Sequence, residues 1–229
     1  SLKDLGKKIA DYGMTIESAI GFAPWIVNDD QKRNAGLEQA KREMDRLAQI
    51  GGIRMAAPPA GTAREEKIEL AAMAERYAKL LEIGESIGVI PQIEMWGGHP
   101  VIGRISTAVS IAIECGHPKA CFLGDVYHTY KGGCAFEGLN LLGPQALQVF
   151  HFNDYPADPP LETINDSHRV YPGDGIAPIA EIMQGWLKIG ATPVLSLEVF
   201  NRDYWKQDAK QVARTGLEKM KSTVKKALG

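Results

Sequence analysis

Apolar positions along this chain repeat with two periods, and the two periods alternate. Leu70, Met73, Ala74, Tyr77, Leu80, Leu81 and Gly84 follow the i, i+3, i+4, i+7 spacing of a helix with one covered face. Helical patterning also runs through Leu2, Leu5, Ile9 and Tyr12, and through 31–50, 101–114, 138–145, 176–189 and 205–228. Between these lie apolar runs of strand length, at 14–22, 53–57, 91–96, 120–125, 147–153 and 193–200. The stretch 154–175, rich in Pro, Asp and Gly, reads as a long loop. Strands buried on both faces and alternating with helices predict a parallel sheet covered by helices.

Four polar residues interrupt the strand-like runs, each near the downstream end. They are Glu94 in PQIEMW, Asp125 in ACFLGDV, His151 in LQVFHFN and Glu198 in PVLSLEV. A carboxylate among Ile, Val and Leu is costly unless it is paired or binds a metal. Two Glu, one Asp and one His suit a hard or borderline divalent cation, with Mn²⁺, Mg²⁺, Co²⁺ and Zn²⁺ as candidates. Their placement also bears on the fold. A doubly wound sheet usually carries a GxGxxG turn after its first strand, and no βα turn here has one. A (β/α)8 barrel gathers its chemistry at the C-terminal ends of several strands. The pattern therefore predicts an α/β TIM barrel spanning 1–229 as one domain. Only six strands are legible and the chain opens on a helix, so the first one or two barrel strands are expected to be absent from it.

Composition narrows the function classes. The chain has 229 residues and a net charge of −2, without the basic footprint of a nucleic-acid binder. Lys219, Lys221, Lys225 and Lys226 fall on a helical stretch and read as a solvated face. No apolar run is long enough to span a membrane. Cys115, Cys121 and Cys134 form neither a disulfide framework nor a CxxC pair, which fits a reducing compartment and an expected cytoplasmic location. Ser1 is not a natural start, so the native N-terminus and any signal peptide lie outside this reading.

The pieces IEMWGG (93–98), GDVYHTYKGG (124–133), FHFNDYP (150–156), RVYPGDG (169–175) and SLEVFN (196–201) together resemble the xylose-isomerase-like TIM barrels. That superfamily holds sugar and sugar-phosphate isomerases and epimerases, an inosose dehydratase and nucleases of the endonuclease IV type. The resemblance runs from the family's third strand onward. It implies that Glu94, Asp125, His151 and Glu198 hold one divalent metal ion. It makes His128 a substrate-contacting histidine and Arg169 an arginine that binds substrate oxygens. A small-molecule sugar is the implied partner, and family barrels often pair as homo-oligomers.

Isomerising or epimerising a ketose removes a proton from the carbon beside a carbonyl. The enediolate so formed needs electrophilic stabilisation, which a Lewis-acidic metal gives. Glu94 and Glu198 are the expected acid/base pair as well as ligands. Trp25 and Trp96 offer flat apolar faces to a sugar, although packing is the commoner role of a tryptophan. His151, between Phe150 and Phe152, also fits a core histidine, and Asp125 also fits the start of a turn. Lys131 with Gly132 and Gly133 reads as a turn before it reads as a phosphate site. Three alternatives stand beside the isomerase: an inosose-type dehydratase, a non-catalytic carbohydrate-binding barrel, and an endonuclease IV-type phosphodiesterase. The last is suggested by Asp166 and His168, but no histidine precedes His99 to supply the extra zinc ligands of that class.

Overall fold

A computed structural model describes residues 1–229. The chain packs as two compact units, Ser1–Leu123 and Gly124–Gly229.

In the first unit, α1 (Leu2–Asp11) opens on a capping box between Ser1 and Asp4 and buries no residue. α2 (Asp30–Gln49) starts where the Asp29 carboxylate accepts the Lys32 N–H, and it turns Gly36, Ala40, Met44 and Leu47 inward. β1 (Arg54–Ala57) leads to α3 (Leu70–Ile87), whose buried face is the stripe of seven legible in the sequence less its exposed first member, Leu70. α3 stops at Gly88, which takes the left-handed conformation (φ 89°) that spares only glycine a Cβ clash. β2 (Ile90–Glu94), α4 (Ile105–Glu114) and the first half of β3 (Phe122–Asp125) complete the unit. β1 and β2 pair in parallel from Arg54↔Ile90 to Ala57↔Ile93, and β2 pairs with β3 at Ile93↔Phe122 and Glu94↔Leu123. The buried Tyr77 hydroxyl ties α3 to this sheet through the carbonyls of Pro91 (2.9 Å) and Cys121 (3.1 Å).

The second unit takes up β3 at Gly124 and continues through α5 (Val126–Lys131), a 3₁₀ turn (Phe136–Leu141) and β4 (Leu147–Phe152). A return loop with a 3₁₀ turn (Asp166–His168) follows, then α6 (Ile179–Lys188), β5 (Val194–Leu197) and α7 (Ala209–Leu228). β4 and β5 pair in parallel from Val149↔Val194 to Phe152↔Leu197. Phe150 is fully buried and packs on Trp186 of α6, with ring centroids 4.7 Å apart. No helix is long and apolar enough to cross a membrane.

Several expected elements shift. The strand expected over 14–22 is reduced to a single bridge, Ala19 with Met55, because Met14, Ile20 and Phe22 are exposed and no ladder extends from it. The helix expected over 138–145 is the six-residue 3₁₀ turn. α4 starts four residues later than expected, since the Ile102 carbonyl turns back to accept the Trp96 N–H (3.0 Å). α7 starts at the Asp208 cap, whose carboxylate accepts the Gln211 N–H. α5 was not anticipated at all.

Candidate active site

Asp125 is the last residue of β3 and the N-cap of α5. Its Oδ1 accepts the His128 N–H (2.7 Å), which sets the Asp-x-x-His spacing as one turn of capped helix. The reading of Asp125 as a turn opener and the reading as a ligand are therefore compatible. Its Oδ2 accepts from Asn153 Nδ2 (2.9 Å) and Arg169 Nη1 (3.1 Å). The side chain has no solvent access.

His151, near the end of β4, brings Nδ1 within 3.1 Å of Glu198 Oε2 and 3.9 Å of Asp125 Oδ2. Glu198 follows β5 directly, and its Oε2 also accepts from Arg169 Nη1 at 2.9 Å. Three of the four sequence-derived ligands thus lie around one point in the second unit. Glu94 lies in the first unit, at the last position of β2, where it is buried (2 % exposed) in register with Leu123.

Arg169 is fully buried. Its Nη1 bonds Asp125 and Glu198, and its Nη2 reaches His128 Nε2 (2.8 Å) and Asp166 Oδ1. All four terminal N–H groups are engaged by the protein. The guanidinium carbon lies 4.6 Å from the Tyr127 ring centroid and 5.2 Å from that of Phe200. These bonds make Arg169 a clamp on two candidate ligands. Since a guanidinium only donates, His128 Nε2 accepts, and the neutral ring carries its proton on Nδ1. Burial lowers the His128 pKa, overriding the pull of Asp125, while the Arg169 charge lowers it further.

Burial by itself would raise the pKa of Glu198. The hydrogen bond and charge of His151, with the charge of Arg169, outweigh it and hold Glu198 down at about 2. Arg169 goes the other way from its burial: Asp125, Glu198 and Asp166 raise its pKa. Asp125, Glu198 and Asp166 thus face the Arg169 guanidinium, with the His151 ring beside Glu198, while the neutral imidazole of His128 adds no charge.

Two residues that the sequence reading passed over organise this set. Asn153 donates to Asp125 Oδ2 and to the Glu198 carbonyl (3.1 Å), and its Oδ1 accepts the Tyr127 N–H (2.9 Å). Asp154 fastens the return loop. Their only mark in the sequence is a polar pair directly after an apolar run, and the structure leaves both 0–1 % exposed.

The aromatic candidates lie in the first unit. Trp25 is inside the core, its indole N–H on the Pro58 carbonyl (2.8 Å) and its ring tilted against Tyr77. Trp96 is only half-buried, with Phe22 and the edge-on ring of His99 beside it. Lys131 reaches the carbonyls of Leu161 (2.7 Å) and Glu162, which uses it as a loop fastener.

A carboxylate oxygen of Glu198 beside the His151 ring nitrogen suits a divalent cation of the hard or borderline kind.

Known proteins resemble the whole of this chain. An inosose isomerase of Bacillus licheniformis is 26% identical over 214 residues, covering 91% of this chain and 76% of the relative. One from Bacillus subtilis is 24% identical over 192 residues, covering 82% and 68%. Among solved structures, the IolI protein with a bound zinc atom superposes with a TM-score of 0.89 at 21% identity, covering 100% of this chain and 83% of that one. An L-ribulose 3-epimerase superposes with a TM-score of 0.79 at 17% identity, covering 99% and 80%. At these identities the structural likeness speaks for the barrel fold. The family model described as xylose isomerase-like TIM barrel matches residues 1–223, and the chain is a member of that family.

Proposed function

We propose that the chain is a divalent-metal-dependent isomerase or epimerase acting on a sugar or a related hydroxy-carbonyl compound. The observation that carries the reading is Glu198. Its carboxylate is mostly buried, yet His151 and Arg169 keep it ionised. A buried carboxylate held ionised beside an imidazole suits a ligand for a divalent cation. That Asp125 and His151 converge on the same carboxylate supports a metal at this point. The relatives named inosose isomerase, and the solved structures of sugar epimerases, favour a ketone flanked by hydroxyls as substrate.

In this reading Asp125, His151 and Glu198 hold the metal together with Glu94. The bound ion supplies Lewis-acid polarisation of the substrate carbonyl. Zn²⁺, Mn²⁺, Co²⁺ and Mg²⁺ all suit the donor set. Glu198 takes the proton from the carbon beside the carbonyl, and Glu94 is the second group of the acid/base pair. Arg169 bridges Asp125 and Glu198 through Nη1 and fixes their orientation. His128 is the substrate-contacting histidine of this reading. Trp96 offers an apolar face to the C–H side of the ring, whereas Trp25 packs the core.

Solvent-deuterium exchange tests the proposal. Inososes and free ketoses are incubated with protein and metal in D₂O, and the carbon-bound hydrogen beside the carbonyl is followed by NMR. Exchange lost in Glu198→Gln is the expected result. Binding of several sugars without exchange into any of them would favour the carbohydrate-binding barrel. A product with new ultraviolet absorbance would favour the dehydratase.

A further inference from the structure

The return loop between β4 and α6 carries Arg169, and a single buried carboxylate fastens it. Asp154 is 1 % exposed. Its Oδ1 accepts the N–H of Tyr155 (2.8 Å) and of Ala177 (2.9 Å), and its Oδ2 accepts those of Gly173 (2.9 Å) and Gly175 (3.1 Å). Its own backbone exchanges two hydrogen bonds with Val170, the residue after Arg169 (3.0 and 2.9 Å). Glycine is required at 175, because a Cβ there would overlap the Tyr155 carbonyl and the Asp154 carboxylate. Four N–H groups on one carboxylate leave no acceptor capacity idle and close both ends of the loop on one point.

We infer that Asp154 is a positioning residue, which sets the place of the Arg169 guanidinium and through it the orientation of Asp125 and Glu198. The inference deepens the proposed isomerase reading and rests on it for its catalytic consequence. The four hydrogen bonds of the Asp154 carboxylate go to backbone N–H groups and to none of the candidate ligands. Its influence passes through the Val170 bridge to the neighbouring Arg169 backbone, whose carbonyl Asn201 holds on the other side (3.0 Å). In Asp154→Asn one acceptor oxygen becomes an NH₂ that opposes two N–H donors. The loop should loosen at that end, and Arg169 with it.

A double-mutant cycle with Arg169→Lys tests the route. Three quantities are read in wild type, Asp154→Asn, Arg169→Lys and the double variant: backbone amide exchange over 169–177, the dissociation constant for Mn²⁺ alone, and deuterium exchange into a ketose at saturating and limiting concentration. Asp154→Asn should speed amide exchange within 169–177 while leaving the helices protected. It should weaken Mn²⁺ and lower the saturated rate, each by about tenfold, as outer-sphere substitutions do. KM should change by less than about twofold, since no substrate contact is removed. In the Arg169→Lys background the same substitution should change affinity and rate by less than about twofold. Equal losses in both backgrounds, or unchanged amide exchange at 169–177, would overturn the inference. Gly175→Ala, which pushes the loop off the same carboxylate, should reproduce the Asp154→Asn pattern if Asp154→Asn folds poorly. A wild type that binds Mn²⁺ but exchanges no ketose sinks the functional reading, while amide exchange and Mn²⁺ affinity still decide the role of Asp154.

Discussion

Replacing Arg169 by Met tests how the site is held when no metal is bound. Methionine keeps much of the apolar stem and removes the charge. The loss strips Nη1 from Asp125 (3.1 Å) and Glu198 (2.9 Å), and Nη2 from His128 and Asp166. Glu198 gives one measure of what is at stake. Its pKa stands at about 2 against an ordinary 4.5, which corresponds to about 3 kcal/mol at neutral pH. His151 contributes the larger part of that and Arg169 the smaller. Asp125 has no solvent access and loses the same partner, so its cost adds. Removing one member of a buried ion pair typically costs about 3–5 kcal/mol, and Arg169→Met should fall in that range. Urea unfolding of metal-free wild type and variant at pH 7 measures it. A saturating divalent ion should narrow the deficit, because it returns positive charge to the same carboxylates. A loss below about 1 kcal/mol, the scale of an exposed pair, would refute the view of Arg169 as the counter-charge of this site.

Acid should uncover the same coupling. The pKa of Glu198 is depressed in the folded state, so its contribution is complete above the unfolded value of 4.5 and disappears as the pH falls through about 2. Unfolding free energies measured between pH 6 and pH 2 should therefore fall more steeply in wild type than in Glu198→Gln, and parallel curves would contradict this. Trp25→Ala should cost about 3–5 kcal/mol of stability as a buried aromatic deletion, with KM unchanged within about twofold. A raised KM at retained stability would instead place Trp25 against the substrate.

Much of this site was legible because burial of polar groups is costly. Glu94, Asp125, His151 and Glu198 stood out by that argument alone, and the structure buries the first three almost completely. The helical stripe from Met73 to Gly84 was equally plain, since one covered face repeats with one period. Other features were hidden by their physical nature. α5 has six residues, too few for a period to show, and its only mark was the Asp125 cap. The run 14–22 has strand composition, but a strand needs a ladder, and pairing depends on residues distant in the chain. Arg169 was visible as a charged residue in a loop. That its N–H groups face protein carboxylates follows from the return path that Asp154 fastens, which no local pattern encodes. Asn153 and Asp154 were missed because a polar pair at a strand end is also what an ordinary loop entry looks like.

Metal stoichiometry tests the central claim most directly. Elemental analysis of protein purified without added metal, alongside Glu198→Gln and His151→Ala, should find about one divalent ion per wild-type chain, as a single four-ligand site holds. Both variants should lose that ion while remaining folded by circular dichroism. An unchanged ion content in both would contradict the account.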